Sequence, residues 1–468
     1  ITIANGQTTG SFTVNINDDA LIEGTETGTF TISNPSAGLT LGNTTTGNVT
    51  ITDNDFPTVN LSVSPTTGTE TGTTAITVTA TASAPVVGNQ TVNLGLAGTA
   101  TAADFTGTIP TQITIANGAT SGQVTFTIAD DQIAEINETA NLSISNPSAG
   151  IVLGTTTTGS FTITDNDTKG ITVSPTTGLT TTEAGGNATF TVKLNTQPTA
   201  DVKLGLTSNK TTEGTVDKSS VTFTPANWNV AQTVTVTGVD DLIADGNQAY
   251  QIITAADTTT TDLNYKNLKP ADVALTNIDN ETAGITVSPT TGLTTTEAGG
   301  KATFTVKLNT QPTADVKLGL TSNKTTEGTV DKSFVTFTSA NWNVAQTVTV
   351  TGVDDLIADG NQAYQIITAA DTTTTDLNYK NLKPADVALT NIDNETAGIT
   401  VSPTTGLTTT EAGGKATFTV KLNTQPTADV TIPLTSSKPT EGTIDKSSLT
   451  FTSANWNVAQ TVTVTGVD

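Results

Sequence analysis

The chain has no cysteine, no histidine and no methionine, and only 4% of its residues are aromatic. Without Cys, disulfides and thiolate metal sites are excluded. Without His as well, the usual Ser-His and Cys-His catalytic arrangements and zinc centres are excluded. Arginine is missing too: the 18 basic residues are all lysine, they face 43 acids, and the net charge is −25. Such a chain has no basic stripe to displace counterions from nucleic acid and none to grip an anionic membrane surface. No apolar run approaches the roughly 18 residues of a membrane helix, so no direct membrane insertion is expected in this window. No stretch carries a helical hydrophobic period either.

What is present is β-forming and repetitive. Hydrophobic residues make up 34% of the chain, enough for several small aliphatic cores, and the length suits about three or four domains. Thr dominates, with Val, Ile, Asn, Gly and Ser, the composition of solvated strands and turns. Strict alternation in Thr189-Phe190-Thr191-Val192-Lys193-Leu194 and in Thr233-Val234-Thr235-Val236-Thr237 predicts half-buried antiparallel strands. It argues against disorder, the competing reading of a polar, acidic chain.

Two kinds of unit repeat. The string ITVSPTTGLTTTEAGG begins at Ile171, Ile285 and Ile399, a period of 114 residues. Residues 56–168 form a different unit whose second half recurs at 1–55, with ITIANG at the head of both copies and SNPSAG following. The units predicted are therefore 1–55 (the C-terminal part of one), 56–168 (complete), 169–284, 285–398, and 399–468 (the N-terminal part of another). The chain is expected to be a window from a longer protein. In the second kind, strands are predicted near 171–174, 188–194, 201–207, 221–224, 232–238, 248–255 and 272–278. About seven short strands per unit predict an all-β chain of tandem immunoglobulin-like Greek-key β-sandwiches in an extended rod.

An acidic signature recurs once per unit. Asp-Asp falls at Asp18-Asp19, Asp130-Asp131, Asp240-Asp241 and Asp354-Asp355, and some thirty residues on comes a second acidic tail. In a sandwich, alternate strand ends gather at one pole, so both segments can meet there. Carboxylates clustered without nitrogen or sulfur ligands suit a hard, oxygen-seeking cation, Ca²⁺ before Mg²⁺. The compact EF-hand loop is missing. The plainer alternative is that these acids only solubilise loops and discourage edge pairing.

Asp-Asp-x-Ile-x-Glu-x-x-Glu at 130–138, its counterpart at 18–26, TAADF at 101–105 and ITDND at 163–167 resemble the Calx-beta family. The resemblance covers 1–168 and implies a Greek-key sandwich with Ca²⁺ at one pole. It implies ligands at Glu70, Asp104, Asp130, Asp131, Ile133 (through its carbonyl), Glu135, Glu138, Asp165 and Asp167. In the first half-unit it implies Asp18, Asp19, Glu23, Glu26, Asp53 and Asp55. The second kind is a more distant look-alike. It keeps Glu183, Asp240, Asp241, Asp245 and Asp279, and in the next copy Glu297, Asp354, Asp355, Asp359 and Asp393. Gln248 stands where a Glu would be, so weaker or fewer ions are expected there. Asp217, Asp262 and Asp272 are further candidates. Such repeats resemble those of large bacterial surface adhesins and filament proteins, an analogy of architecture.

The resulting expectation is a non-catalytic, Ca²⁺-binding structural region of a secreted, bacterial cell-surface protein, with Ca²⁺ fixing domain junctions. Its partners would be Ca²⁺ and either copies of itself in a fibre or layer, or surface glycans or proteins. One alternative is an adhesin module that binds glycan or protein through Trp228, Trp342 and Trp456, which otherwise close the core. Accessory domains of a secreted enzyme are the other. Paired carboxylates could hydrolyse glycosides, but their repetition and the scarcity of aromatics argue against a sugar cleft.

Overall fold

The computed structural model describes residues Ile1–Asp468. It is all-β, with tandem immunoglobulin-like sandwiches and no α-helix. The first strands, β1 (Glu26–Thr31) and β2 (Thr46–Ile51), pair antiparallel in an isolated ribbon. The next sandwich uses β3 (Thr58–Ser64), β4 (Thr67–Thr69), β5 (Ala75–Ala82), β6 (Gln90–Gly98), β7 (Phe105–Thr106), β8 (Gln112–Ile115), β9 (Ser121–Ile128), β10 (Glu138–Ser145), β11 (Val152–Leu153) and β12 (Thr158–Thr164). They form two sheets, ordered β4-β12-β10-β6-β8 and β11-β3-β5-β9-β7.

The alternation read from sequence is what closes the sandwich. On β5, Ile76, Val78, Ala80 and Ala82 are buried while the intervening Thr side chains face outward. Phe161 on β12 stacks edge-on with Phe105, and Phe105 with Phe126, joining the two sheets. Each fully buried side chain of this size is worth about 1.5–3 kcal/mol.

The repeat starting at Ile171 has β13 (Ile171–Ser174), β14 (Leu179–Thr182), β15 (Asn187–Leu194), β16 (Val202–Ser208), β17 (Gly214–Val216), β18 (Ser220–Phe223), β19 (Gln232–Gly238), β20 (Gln248–Ala255) and β21 (Val273–Ile278). Its sheets run β13-β15-β19-β17 and β14-β21-β20-β16-β18, and the pattern recurs in the next copy, in sheets spanning Ile285–Ile392. The seven expected strands are present; β14 and β17 were not anticipated. Both are short, and Leu179-Thr-Thr-Thr has no alternating apolar face to announce it. The opening strand splits at Pro175: β13 pairs antiparallel with β15, whereas β14 joins the other sheet parallel to β21. That switch carries Glu183 to the pole.

Residues 1–25 contain no strand, although 10–16 read like β9. β9 is held by β5 and β7, and residues 1–55 contain no counterparts of those partners. In 399–468 the core cluster falls to 5 buried residues from 16 in the preceding repeats, because the β20 and β21 equivalents that complete it are not among these residues.

Trp228, Trp342 and Trp456 are half-buried and pack against the cores, the role favoured for them. Tyr250 and Tyr265 are buried, and the Tyr265 hydroxyl donates to the Thr196 carbonyl at 2.8 Å while accepting from its amide at 3.0 Å.

One of the few differences between the first two copies has a visible consequence. Phe334 on edge strand Phe334–Phe337 faces Gly319, which has no side chain, and Lys317 Nζ lies 3.8 Å from the ring centroid. The first copy has Ser220 opposite Gly205. An aromatic covering a cross-strand glycine and carrying a cation is worth about 1 kcal/mol. Phe334→Ser is therefore predicted to accelerate amide hydrogen exchange in Val316–Ser322 to the rate of Val202–Ser208. An unchanged rate would refute the aromatic's role.

Candidate metal centres

In the sandwich spanning 58–164, three segments bring acids to one end. The first is the residue after β4: Glu70 N donates to the Thr164 carbonyl at 3.2 Å, which extends the parallel β4–β12 pairing and sets Glu70 beside the acidic tail. The second is that tail, Asp165 to Asp167, leaving β12. The third is the loop between β9 and β10, which begins at Asp130. Asp104 joins them from a single 3-10 turn capped by Thr101.

The loops are locked by carboxylates acting on backbone. Asp131 Oδ1 accepts from Ile133 N at 2.7 Å, and Asp165 takes Glu135 N at 2.7 Å on one oxygen and Asp167 N at 2.8 Å on the other. Asn166 Nδ2 donates to Asp130 at 3.2 Å. The result is two acidic nests. Glu70, Asp165 and Asp167 place one carboxylate oxygen each within 4.8 Å of one another, and so do Asp104, Glu135 and Glu138.

No ammonium enters this site, and three oxygens have no hydrogen-bond donor: Glu70 Oε2, Glu138 Oε2 and Asp167 Oδ2. Glu70 is only 4% exposed. An unpartnered carboxylate in such a place is costly. Burial, then the charges of Asp165 and Asp131, push the Glu70 carboxyl up to about 7. Burial, then Asp104, push Glu138 up to about 7. Glu135 and Asp167 are raised as well, again chiefly by burial. The Ile133 carbonyl accepts no backbone hydrogen bond and stays free. Oxygen-only donors, two nests and unpartnered lone pairs fit a hard divalent cation.

Residues 1–55 repeat the loop geometry. Asp19 accepts from Leu21 N at 2.8 Å and Asp53 from Asp55 N at 2.8 Å and Glu23 N at 2.5 Å. Asp18, Asp19, Glu23, Glu26, Asp53 and Asp55 line one pocket. Asp19, then Glu26, push Glu23 up, and burial, then Asp53, push Asp55 up.

In the second kind a single nest remains. Glu183, Asp240 and Glu281 converge within 4.8 Å, and in the next copy Glu297, Asp393 and Glu395. Glu183 and Glu297 are each 2% exposed. Burial, then a hydrogen bond with Glu281, push Glu183 up to about 8; the same causes, with Glu395, push Glu297 up to about 7. Asp241 and Asp355 brace their loops through Ile243 N and Ile357 N, each at 2.7 Å. Asp279 and Asp393 take Gly246 N and Gly360 N at 2.6 and 2.7 Å. Asp245 and Asp359 stand in the loops but outside the nests. Asp354 opens its loop and belongs to no nest.

Glu281 and Glu395 were missed as site residues. The signal was available: aligning Asp279-Asn280-Glu281 with Asp165-Asn166-Asp167 puts Glu281 on Asp167. Three further candidates are occupied elsewhere. Asp217 accepts from Thr235 N at 3.0 Å, Asp262 from Thr199 N at 2.6 Å, and Asp272 from Thr254 N at 2.8 Å and Lys269 Nζ at 2.7 Å. None belongs to a nest.

The family model of the Calx-beta domain matches residues 1–55 and 52–169. Over its first 169 residues the chain is similar to Calx-beta domains. Calx-beta domains bind Ca²⁺, in keeping with the oxygen-only nests. Among solved structures, the CBD12 of CALX1.2 is 16% identical, with 42% of this chain and 80% of that chain covered and a TM-score of 0.22. The Calx CBD1 domain in its apo form is 22% identical over 24% of this chain and 99% of that one, with a TM-score of 0.20. The surface layer protein SbsC, domains 1–6, is 12% identical over 88% of this chain and 63% of that one, with a TM-score of 0.20. No curated protein matches the chain. No helix is long and apolar enough to cross a membrane.

From Asp130 onward, each acidic loop touches the next sandwich. Gln197 N donates to the Gln132 carbonyl at 2.6 Å, Gln311 N to Leu242 at 2.7 Å and Gln425 N to Leu356 at 2.7 Å. Asn264 Nδ2 donates to the Ala134 carbonyl at 2.5 Å, and Asn378 Nδ2 to that of Ala244. Every hydrogen bond between sandwiches joins consecutive ones, and its acceptor lies in an acidic loop.

Proposed function

We propose that this chain is a non-catalytic, Ca²⁺-dependent structural region of a long secreted cell-surface or filament protein, divided into the units 1–55, 56–168, 169–284, 285–398 and 399–468. Ca²⁺ occupies the acidic nests and rigidifies the junctions. The observation that carries this reading is the unpartnered, buried Glu70 Oε2, facing Asp165 and Asp167 in a nest of oxygen donors. The ligands are the carboxylates named above, with Glu281 and Glu395 added. The same loops whose side chains face the ion supply the carbonyls that hold the next sandwich. Ordering the loop therefore orders the junction. With a net charge of −25, the metal-free chain repels itself and flexes at these points.

The test is a pair of measurements on the full chain. Equilibrium dialysis against ⁴⁵Ca²⁺ should show saturable binding, and small-angle scattering should show a narrower, longer distance distribution in Ca²⁺ than in EGTA. Binding without any change in scattering would remove the mechanical role; absence of binding would remove the whole reading.

A further inference from the structure

The second nest of the Calx-beta sandwich, Asp104 with Glu135 and Glu138, has a counterpart in the second kind of repeat, where one lysine has been added. The equivalences follow from the backbone. Ala129 N donates to the Asp104 carbonyl at 2.9 Å just before Asp130-Asp131, and Val239 N donates to the Glu213 carbonyl at 3.0 Å just before Asp240-Asp241. Glu213 thus stands where Asp104 stands, and Lys210 where Thr101 does. Asp-Asp-Gln-Ile-Ala-Glu-Ile-Asn-Glu aligns without a gap on Asp-Asp-Leu-Ile-Ala-Asp-Gly-Asn-Gln, so Asp245 replaces Glu135 and Gln248 replaces Glu138. Gln248 and Glu138 each open the strand beside the acidic tail, paired with Asn277 and Ile163 respectively.

We propose that Lys210 and Lys324 take the place of the second cation, making the second-kind sandwiches single-ion units with a built-in ammonium counter-charge. This rests on the reading that the nests of the first kind hold Ca²⁺.

Two observations support it. Lys210 Nζ lies 3.5 Å from Gln248 Oε1, while Gln248 Nε2 donates to the Asp245 carbonyl at 3.1 Å, so the amide links ammonium to acidic loop. Lys324 and Gln362 repeat the contact at 3.5 Å. Second, the carbonyl that is free at Ile133 is consumed at Ile243, which accepts Asp245 N at 2.9 Å, and at Ile357, which accepts Asp359 N at 3.0 Å.

The formal charge of the position falls from −3 for Asp104, Glu135 and Glu138 to −1 for Glu213, Asp245, Gln248 and Lys210. A divalent cation needs several anionic oxygens to offset its dehydration. A lysine ammonium supplies one charge permanently, independent of calcium concentration. The nest around Glu183, on the other side of the loop, keeps its acids. These repeats would then stay partly neutralised when calcium is withdrawn, while the Calx-beta sandwich loses both counter-charges.

The experiment counts ions. In the full chain, Lys210→Thr, Glu213→Asp, Asp245→Glu and Gln248→Glu together transplant the Calx-beta set. Equilibrium dialysis with Ca²⁺ should then give one more bound ion per chain than the parent. The same count in a variant whose circular dichroism matches the parent would overturn the proposal. Lys210→Met alone provides a second arm that needs no new site. Its metal-free melting should depend more steeply on NaCl than the parent's, because Glu213 and Asp245 lose their counter-charge; an identical salt dependence would also overturn it. A parent that binds no Ca²⁺ would overturn both this proposal and the function it rests on. A parent that binds, with a variant that adds nothing, would overturn this one alone.

Discussion

Saturating Ca²⁺ is expected to raise the melting temperature of the Calx-beta sandwich by about 10 °C for each nest it fills. A ligand at a hundred times its Kd adds about 2.7 kcal/mol per site to the folded state. For a unit of this size, 1 kcal/mol moves the midpoint by roughly 4 °C. The stabilisation has a structural source. Glu70 Oε2, Glu138 Oε2 and Asp167 Oδ2 are held in place by the fold, yet have no donor. Glu70 and Asp167 share one nest and Glu138 belongs to the other, so one ion in each satisfies them, and the unfolded chain cannot assemble either nest. Glu70→Gln separates this account from nonspecific screening. Gln matches Glu in shape and removes the buried charge, so the variant should melt higher than the parent in chelator at about pH 8 and lose the share of the Ca²⁺-dependent rise that its own nest supplies. Calorimetry of both proteins with and without Ca²⁺ decides. If Glu70→Gln keeps the full calcium shift, Glu70 is not a ligand.

The second large effect is an inverted pH dependence in the metal-free chain. Burial and neighbouring charge hold Glu70, Glu138 and Glu297 near 7 and Glu183 near 8, against 4.5 for an ordinary glutamate. Between those values the folded state keeps protons that the unfolded chain has released, so stability falls as pH rises. The contribution is complete below about pH 4.5 and lost by about pH 8. Asp257 and Asp371 work in the opposite sense. Burial raises them, but backbone donors at Lys203, Thr259 and Thr260, and at Lys317, Thr373 and Thr374, outweigh it and hold them at about 2. Their stabilisation is present above 3.8, the ordinary aspartate value, and fades as pH falls toward 2. The chelator-stripped chain should therefore melt highest near pH 4–5 and lower near pH 8, and Ca²⁺ should flatten the decline. A metal-free chain that melts higher at pH 8 than at pH 5 would show that these carboxyls ionise freely in the folded state.

Much of this molecule was legible as sequence, for a simple reason. Period-two alternation records which face of a strand is buried, and so Thr189 to Leu194 and Thr233 to Thr237 could be placed without coordinates. Near-identical copies 114 residues apart fixed the tandem order, and the missing His and Cys limited the metal donors to oxygen. The tertiary structure decided what alternation does not encode. β14 and β17 are short and formed by pairing across the chain rather than by their own pattern. Alignment with Asp167 marks Glu281 as an acid of the tail, but its convergence with Glu183, 98 positions away, is a tertiary fact. Asp217, Asp262 and Asp272 looked no different from ligands until their backbone partners were visible. The junction contacts at Gln197 and Asn264, and the meeting of Lys210 with Gln248, likewise belong to the tertiary structure alone. A sequence gives each residue its chemistry and its face; only the closing of two sheets sets which acids share a space, and which of them already have a partner.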